Sequence, residues 1–229
     1  MTVAGFEVEA AERAIAVLTR EWAGLPGVVA PWEATLAEMR AEQDAIVAAG
    51  QWTVGPADLL SVIGHGRREV THCRVLRWLC DPRAPHGLGA RFLAGVLAAV
   101  RRNVSAETLA GANADVEVAR ARSRADLVVT APGLVLVVEA KIDHHERLEQ
   151  CDDLFADWRG DGGVVFVFLT PDGRTPSTAT GEACEAFRTL RFAALRDLLA
   201  ELVASGAASP AAGAATVTAY LTTLQKEFR

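Results

Sequence analysis

The sequence has few lysines and no overall excess of positive charge. Of its 23 Lys and Arg residues only two, Lys141 and Lys226, are lysines, and the formal net charge is −6. A domain that binds nucleic acid through its total charge would be basic, so the sequence excludes that simple case. It does not exclude binding through a local basic surface, since carboxylates that hold a metal ion also lower the total charge.

Cysteines and long apolar stretches are also scarce. The four cysteines form no C-x-x-C pair, so neither a disulfide framework nor a zinc knuckle is indicated, and we expect reduced thiols in a cytoplasmic protein. The first residues are acidic and lack the pattern of a signal peptide, and no uncharged apolar stretch reaches the ~18 residues of a membrane helix. Neither the phosphate-binding loop of an NTPase nor the G-x-S-x-G of a serine hydrolase is present.

Hydrophobic spacing predicts helices first and then strands mixed with helices. The pattern predicts helices over residues 9–22, 31–49, 56–63, 69–80, 88–102, 145–158, 193–203 and 216–228, and strands over 115–122, 125–130, 134–138, 163–169 and 187–192. The order indicates an α/β fold with a mixed β-sheet flanked by helices. We expect an N-terminal helical extension over residues 1–60 and one α/β domain over 61–229.

One apolar strand ends in two charged residues. The run from Leu134 to Val138 is typical of a strand buried on both faces, and Glu139 and Lys141 follow it. Side chains two residues apart on a strand share a face, and charged groups are rarely buried unless they are paired or functional. Glu139 and Lys141 are therefore candidate functional residues where a core strand reaches the sheet edge.

The preceding strand adds a second carboxylate. If Pro132 and Gly133 form the turn, Asp126 lies directly opposite Glu139, with Cβ atoms roughly 4.5–5.5 Å apart, and Arg124 faces Lys141. Two opposed carboxylates repel each other unless a cation lies between them. Carboxylate and water oxygens suit a hard cation, so the pattern indicates Mg²⁺ or Mn²⁺.

Residues Asp126, Glu139 and Lys141, at the ends of adjacent strands, resemble the D…(D/E)-x-K core of the PD-(D/E)XK nuclease superfamily. The segments R-E-V-T-H-C-R-V-L-R-W-L-C-D-P, H-G-L-G-A-R-F-L, R-A-D-L-V-V, V-V-E-A-K-I and E-Q-C-D-D-L resemble a bacterial group of uncharacterised proteins within it. The resemblance covers roughly Arg68 to Asp157. It implies a restriction-endonuclease-like fold and metal-dependent hydrolysis of DNA, and cutting both strands often requires a homodimer.

The resemblance also implies roles for particular residues. Asp126 and Glu139 would bind the metal, with help from the Ala140 carbonyl, and Lys141 would orient or deprotonate the attacking water and stabilise charge on the phosphate. Glu69 occupies the place of an extra acidic ligand. Gln150 matches a glutamine often found near the site, although Leu154 stands one turn later where an aromatic residue is common.

Plainer interpretations of these residues stay open. The strand end could carry ordinary ion pairs, Glu139 with an arginine and Lys141 with Asp143. Glu69 could be a solvent-facing residue that favours the helix dipole. The function could be that of a binding or regulatory module with little cleavage, or, more remotely, hydrolysis of another phosphate ester.

Other charged residues near the motif have two readings each. Arg120, Arg122 and Arg124 alternate, so on one continuous strand they would form either a phosphate-contacting row or a solvated strand face. The neighbouring His144 and His145 could bind zinc, but no cysteine or further histidine lies at ligand spacing.

Overall fold

The computed structural model describes residues 3–51, 55–56, 58–208 and 210–228. The chain forms two compact units, Met1–Gly55 and Pro56–Arg229. The boundary lies a few residues before position 60, where the sequence placed the end of the helical extension.

The first unit contains one long helix, α1, which spans Val3–Ala48. The sequence predicted two helices, 9–22 and 31–49, the second with Pro31 near its start and Gly50 just past its end. That prediction was wrong, since the backbone stays helical through Gly27 and Pro31. The side chains of Ile15, Leu18, Trp22, Trp32, Leu36 and Met39 on this helix are exposed.

The second unit is an α/β domain with a mixed sheet. Its elements are α2 Leu59–Val62, α3 Glu69–Cys80, α4 Arg91–Ala99, α5 Ala106–Leu109, β1 Asn113–Ala119, β2 Arg124–Ala131, β3 Leu134–Ala140, α6 Gln150–Trp158, β4 Val164–Thr170, α7 Gly181–Ala186, β5 Phe187–Arg191, α8 Phe192–Ala204 and α9 Ala214–Glu227. The short helices α5 and α7 were not expected from the sequence.

The five strands lie in the order β1-β2-β3-β4-β5. The pairs β1–β2 and β2–β3 are antiparallel, whereas β3–β4 and β4–β5 are parallel. A tight turn joins β2 to β3, and α6 provides the longer crossover that parallel strands need. This is the predicted restriction-endonuclease-like α/β arrangement, a mixed five-stranded sheet with flanking helices.

Two apolar clusters cover the two faces of the sheet. The larger contains residues of α3, α4, α8 and α9 packed on β2, β3 and β4, among them Leu79, Phe92 and Phe192, all fully buried. The smaller packs Cys151, Leu154 and Trp158 of α6 against Val137 and Phe168. Because alternate strand residues point to opposite faces, Glu139 shares the α6 face with Val137.

The helix α6 begins later than expected. The sequence predicted it from His145, but it starts at Gln150, directly after Glu149 in a left-handed conformation with φ 60°. The preceding residues form an irregular segment, and the side chain of Glu146 is buried among loop donors rather than on a helix surface.

Among the described residues, no helix is both long and apolar enough to cross a membrane.

Candidate active site

The β2–β3 hairpin places the two central carboxylates side by side. Leu127 pairs with Val138 and Ala131 with Leu134, which is the register expected if Pro132 and Gly133 form the turn. The paired positions end at Leu127–Val138, and Asp126 and Glu139 directly follow that pair, close enough for the charge of Asp126 to act on Glu139. Gly133 has φ 68°, a conformation that glycine adopts without steric cost.

Glu139 is fully buried, and both of its hydrogen bonds involve the same oxygen. Lys141 Nζ donates to Glu139 Oε1 at 2.5 Å, and Gln150 Nε2 donates to the same oxygen at 2.5 Å. Within the described residues, no donor reaches Glu139 Oε2. A buried carboxylate oxygen without a hydrogen-bond partner costs free energy. The unpaired Oε2 is therefore an atom at which a bound ligand is expected.

Asp126 is held by the backbone of the neighbouring strand. The amide of Ala140 donates to Asp126 Oδ2 at 2.9 Å, which orients the carboxylate beside Glu139. On the other side of Asp126 the β1–β2 pairing is interrupted, because Glu117, which would face Asp126, has φ 53° while the pairs on both sides keep one register. Such conformations cost energy in a residue other than glycine and are concentrated at functional sites.

Electrostatics at the hairpin favour neutral carboxyl groups. Burial, followed by the repulsion from Asp126, raises the pKa of Glu139 to about 8, although Lys141 acts in the opposite direction. Burial also raises the pKa of Asp126, an effect that the Ala140 amide partly offsets. Raised carboxyl pKa values of this kind are expected at a cation-binding site from which the cation is absent.

Lys141 is the buried cation of the site. Burial lowers the pKa of its ammonium group, but Glu139, Asp126 and Glu69 together raise it by more, so the net shift is upward. Nζ also donates to the Ala140 carbonyl at 3.3 Å. Lys141 is therefore a fixed ammonium group at neutral pH. Among the described residues, Lys141 forms no ion pair with Asp143, and Glu139 forms none with an arginine.

Glu69 lies close to the hairpin but is engaged elsewhere. Its Oε1 accepts a hydrogen bond of 2.7 Å from the Ile142 amide, directly after Lys141, and lies 3.4 Å from His144 Nδ1. Glu69 thus fixes the chain as it leaves β3, and its role as a metal ligand stays a prediction. In the described part of the chain, no group of three or more His, Cys, Asp or Glu side chains is arranged to hold a metal ion.

The donor set at the hairpin nevertheless suits a hard divalent cation. Asp126 and Glu139 supply carboxylate oxygens, Glu139 Oε2 has no other partner among the described residues, and both carboxyl groups have raised pKa values. Mg²⁺ commonly binds through one or two carboxylates and keeps several waters, so two carboxylates are enough.

The structure does not gather the three arginines of the alternating segment. Arg120 and Arg122 lie in the turn between β1 and β2, and only Arg124 begins a strand. Arg120 forms an ion pair with Asp161 at 2.7 Å, and Arg124 lies 3.4 Å from Glu117. A continuous row of arginines leading to Asp126 is therefore absent from this segment.

Two polar clusters near the site were missed by sequence reasoning. Arg67 binds both oxygens of Asp143, at 2.6 and 2.8 Å. Glu146 receives hydrogen bonds from the backbone and hydroxyl groups of Ser177 and Thr178 and an ion pair from Arg174. The first contact joins the segment after Lys141 to the residues before α3, and the second joins it to the loop after β4. Because the partners are distant in sequence, no spacing pattern indicates them.

Comparison with known proteins agrees with this geometry. The family model of the PD-(D/E)XK nuclease superfamily matches residues 57–222, more than half of the chain and nearly all of the second unit. Neither the curated proteins nor the solved structures contain a significant match. The matched range includes the hairpin that carries Asp126, Glu139 and Lys141 and the helix that carries Gln150. The chain belongs to the PD-(D/E)XK nuclease superfamily.

Proposed function

We propose that this protein is a nuclease that hydrolyses DNA phosphodiester bonds with Mg²⁺ or Mn²⁺ at Asp126, Glu139 and Lys141. The observation that carries the proposal is the buried Glu139 carboxylate. Lys141 and Gln150 donate to its Oε1, whereas Oε2 has no donor among the described residues and stands beside a second carboxylate. A structural ion pair would need neither the second carboxylate nor the free oxygen.

Asp126 and Glu139 would hold the ion, with the Ala140 carbonyl next to them. A bound Mg²⁺ or Mn²⁺ supplies Lewis acidity toward the phosphoryl oxygen and lowers the pKa of water. Gln150 is a positioning residue in this proposal, because its amide fixes the Glu139 oxygen that Lys141 also contacts. Glu69 would act in the same way, through the Ile142 amide.

In this proposal, Lys141 places a positive charge of the protein next to the phosphate. Its ammonium group is held by Glu139 and the Ala140 carbonyl, and its raised pKa keeps it protonated at neutral pH. A preorganised cation stabilises the negative charge that develops on the phosphate in the transition state. Arginine, with its planar guanidinium, does not replace a compact ammonium group, which fits the presence of lysine here in an arginine-rich chain.

We also propose a cytoplasmic location. The free thiols of Cys73, Cys80, Cys151 and Cys184 support it, because reducing compartments keep such groups unpaired.

The decisive experiment measures cleavage of supercoiled plasmid and of labelled single-stranded DNA with Mg²⁺, with Mn²⁺ and with EDTA. Lys141→Ala is compared with Lys226→Ala, which removes the other lysine of the chain at an exposed position. Asp126→Asn is compared with Asp115→Asn, which removes an exposed carboxylate on β1. We expect metal-dependent cleavage that Lys141→Ala and Asp126→Asn reduce by at least roughly 100-fold and that both controls retain.

Cleavage that survives both site variants would refute this site. Absence of cleavage on both substrates by a folded wild-type protein would refute hydrolysis of those substrates and favour the binding-module alternative.

A further inference from the structure

The exposed apolar residues of α1 follow a heptad pattern. Among the side chains of α1 that the structure describes, ten large apolar ones are exposed. Eight of these fall at alternating steps of three and four residues or at whole heptads, namely Val8, Ile15, Leu18, Trp22, Val29, Trp32, Leu36 and Met39. The other two of these ten, Val17 and Val47, lie outside this stripe. A period of 3.5 residues is the signature of a helix that packs along its length against another helix.

The stripe needs a partner on physical grounds. Trp22 and Trp32 are 71% and 69% exposed, although each could bury a large area. Apolar stripes of this length on a soluble protein mark interaction surfaces. Together, eight such side chains could bury a surface area close to the roughly 800 Å² per partner of a standard interface.

The structure assigns this stripe to a second copy of the same chain, packed as an antiparallel coiled coil. An antiparallel arrangement that sets Trp22 level with Trp32 of the partner subunit is self-complementary, so each contact occurs twice. The same register brings Glu12 beside Arg40 of the partner subunit, at flanking positions of the heptad. Within the described residues neither side chain forms an ion pair, so both are available for the pair across the interface.

Leu18 and Leu36 would face each other across this interface. In the proposed register, Leu18 of one subunit lies opposite Leu36 of the partner subunit, whereas a parallel coil would set each leucine against its own copy. This difference allows the orientation to be tested by charge.

The test measures the mass of the full-length protein by analytical ultracentrifugation between roughly 1 and 100 μM, in EDTA and without DNA. Leu18→Glu is compared with Val17→Glu, since the two neighbouring side chains are 54% and 55% exposed but only Leu18 lies in the stripe. We expect a wild-type dimer, a rise of at least roughly 30-fold in the dissociation constant for Leu18→Glu, and a change below roughly threefold for Val17→Glu. Helix content by circular dichroism identifies loss of folding.

Orientation is tested by combining Leu18→Glu with Leu36→Lys. In the antiparallel coil the two new charges face each other, so the double variant should dimerise at least tenfold more tightly than Leu18→Glu alone. A monomeric wild type, or equal effects of Leu18→Glu and Val17→Glu, would overturn the proposal. A double variant no tighter than the single one would overturn the antiparallel register.

A dimer would provide two hairpin sites for the two strands of one duplex, and this consequence rests on the proposed function. With active wild-type protein, Leu18→Glu should raise the ratio of nicked to linear plasmid, while Val17→Glu should leave it unchanged. Because dimerisation is measured without metal or DNA, a failure of cleavage and a failure of dimerisation give separate results.

Discussion

Replacement of Glu139 by glutamine should stabilise the metal-free protein and weaken metal binding at the proposed site. Glutamine has the shape of the protonated glutamate and no charge to bury. The pKa of Glu139 rises from 4.5 to about 8 on folding, mainly through burial and then through Asp126. At low pH a carboxyl group with a raised pKa is protonated in both the folded and the unfolded state, so it does not lower the free energy of unfolding. As pH rises from 4.5 to 8 the unfolded chain releases the proton more readily, so the folded state loses stability.

The magnitude follows from the width of that window. At pH 7 the raised pKa of Glu139 lowers the free energy of unfolding by about 3 kcal/mol. This follows because each pH unit above the pKa of the unfolded state contributes about 1.36 kcal/mol. Glu139→Gln should therefore raise the free energy of unfolding by up to this amount at pH 7 and by less than about 1 kcal/mol at pH 5. The control is Glu185→Gln, which removes an exposed carboxylate on α7.

The assay is urea unfolding of both variants and the wild type at pH 5, 6, 7 and 8, in EDTA and then with Mg²⁺ or Mn²⁺. In EDTA the gap between Glu139→Gln and wild type should widen with pH. With metal, the wild type should gain stability as the ion concentration rises, because a ligand that binds only the folded state stabilises it. The reasoning fails if the gap is independent of pH, or if the ion stabilises Glu139→Gln as much as wild type.

Three further predictions concern the fold of the second unit. Glu146→Gln should cost about 3 kcal/mol at pH 7, because burial raises the pKa of Glu146 but Arg174 and the Ser177 and Thr178 hydrogen bonds lower it by more, to about 2. This stability is lost only as pH falls from 4.5 to 2, so urea unfolding at pH 7 and pH 3 should show the difference shrinking. Gly163→Ala should destabilise by more than about 2 kcal/mol, because the new Cβ would overlap the backbone carbonyl of Gly133. By contrast, Gly133→Ala meets open space and should cost only about 1 kcal/mol, from its positive φ, in thermal unfolding. In the native protein a thiol reagent should modify only Cys184 quickly, and rapid labelling of a second thiol would contradict the burial of the other three cysteines.

The parts of the fold governed by local patterns were predictable. The helix α3 spans Glu69–Cys80 as expected, because its buried residues recur at helical spacing and Asp81-Pro82 follows. The β2–β3 register was also correct, since a two-residue turn with glycine leaves only one pairing. From these elements the sequence placed Asp126 and Glu139 opposite each other.

The parts that depend on distant partners were not predictable. Glu146 resembles an ordinary helix residue in the sequence, and only the loop of Ser177 and Thr178, some thirty residues later, makes it a buried anchor. In the same way, Glu117 alternates like any strand residue, and its left-handed conformation is evident only in the three-dimensional fold. Periodicity carries no information about such contacts.

The hairpin combines features that oppose stability, and an ion pair with a purely structural role would not be expected to have them. A pair made only for stability would match each buried oxygen with a donor, because an unpaired buried oxygen costs free energy. Here Lys141 and Gln150 both bind one oxygen of Glu139, the other oxygen has no donor among the described residues, and Asp126 adds a second carboxylate beside it. A divalent cation would relieve the repulsion and satisfy the free oxygen in a single step. The free energy that the metal-free protein loses at this site is therefore the free energy that binding of the ion is expected to recover.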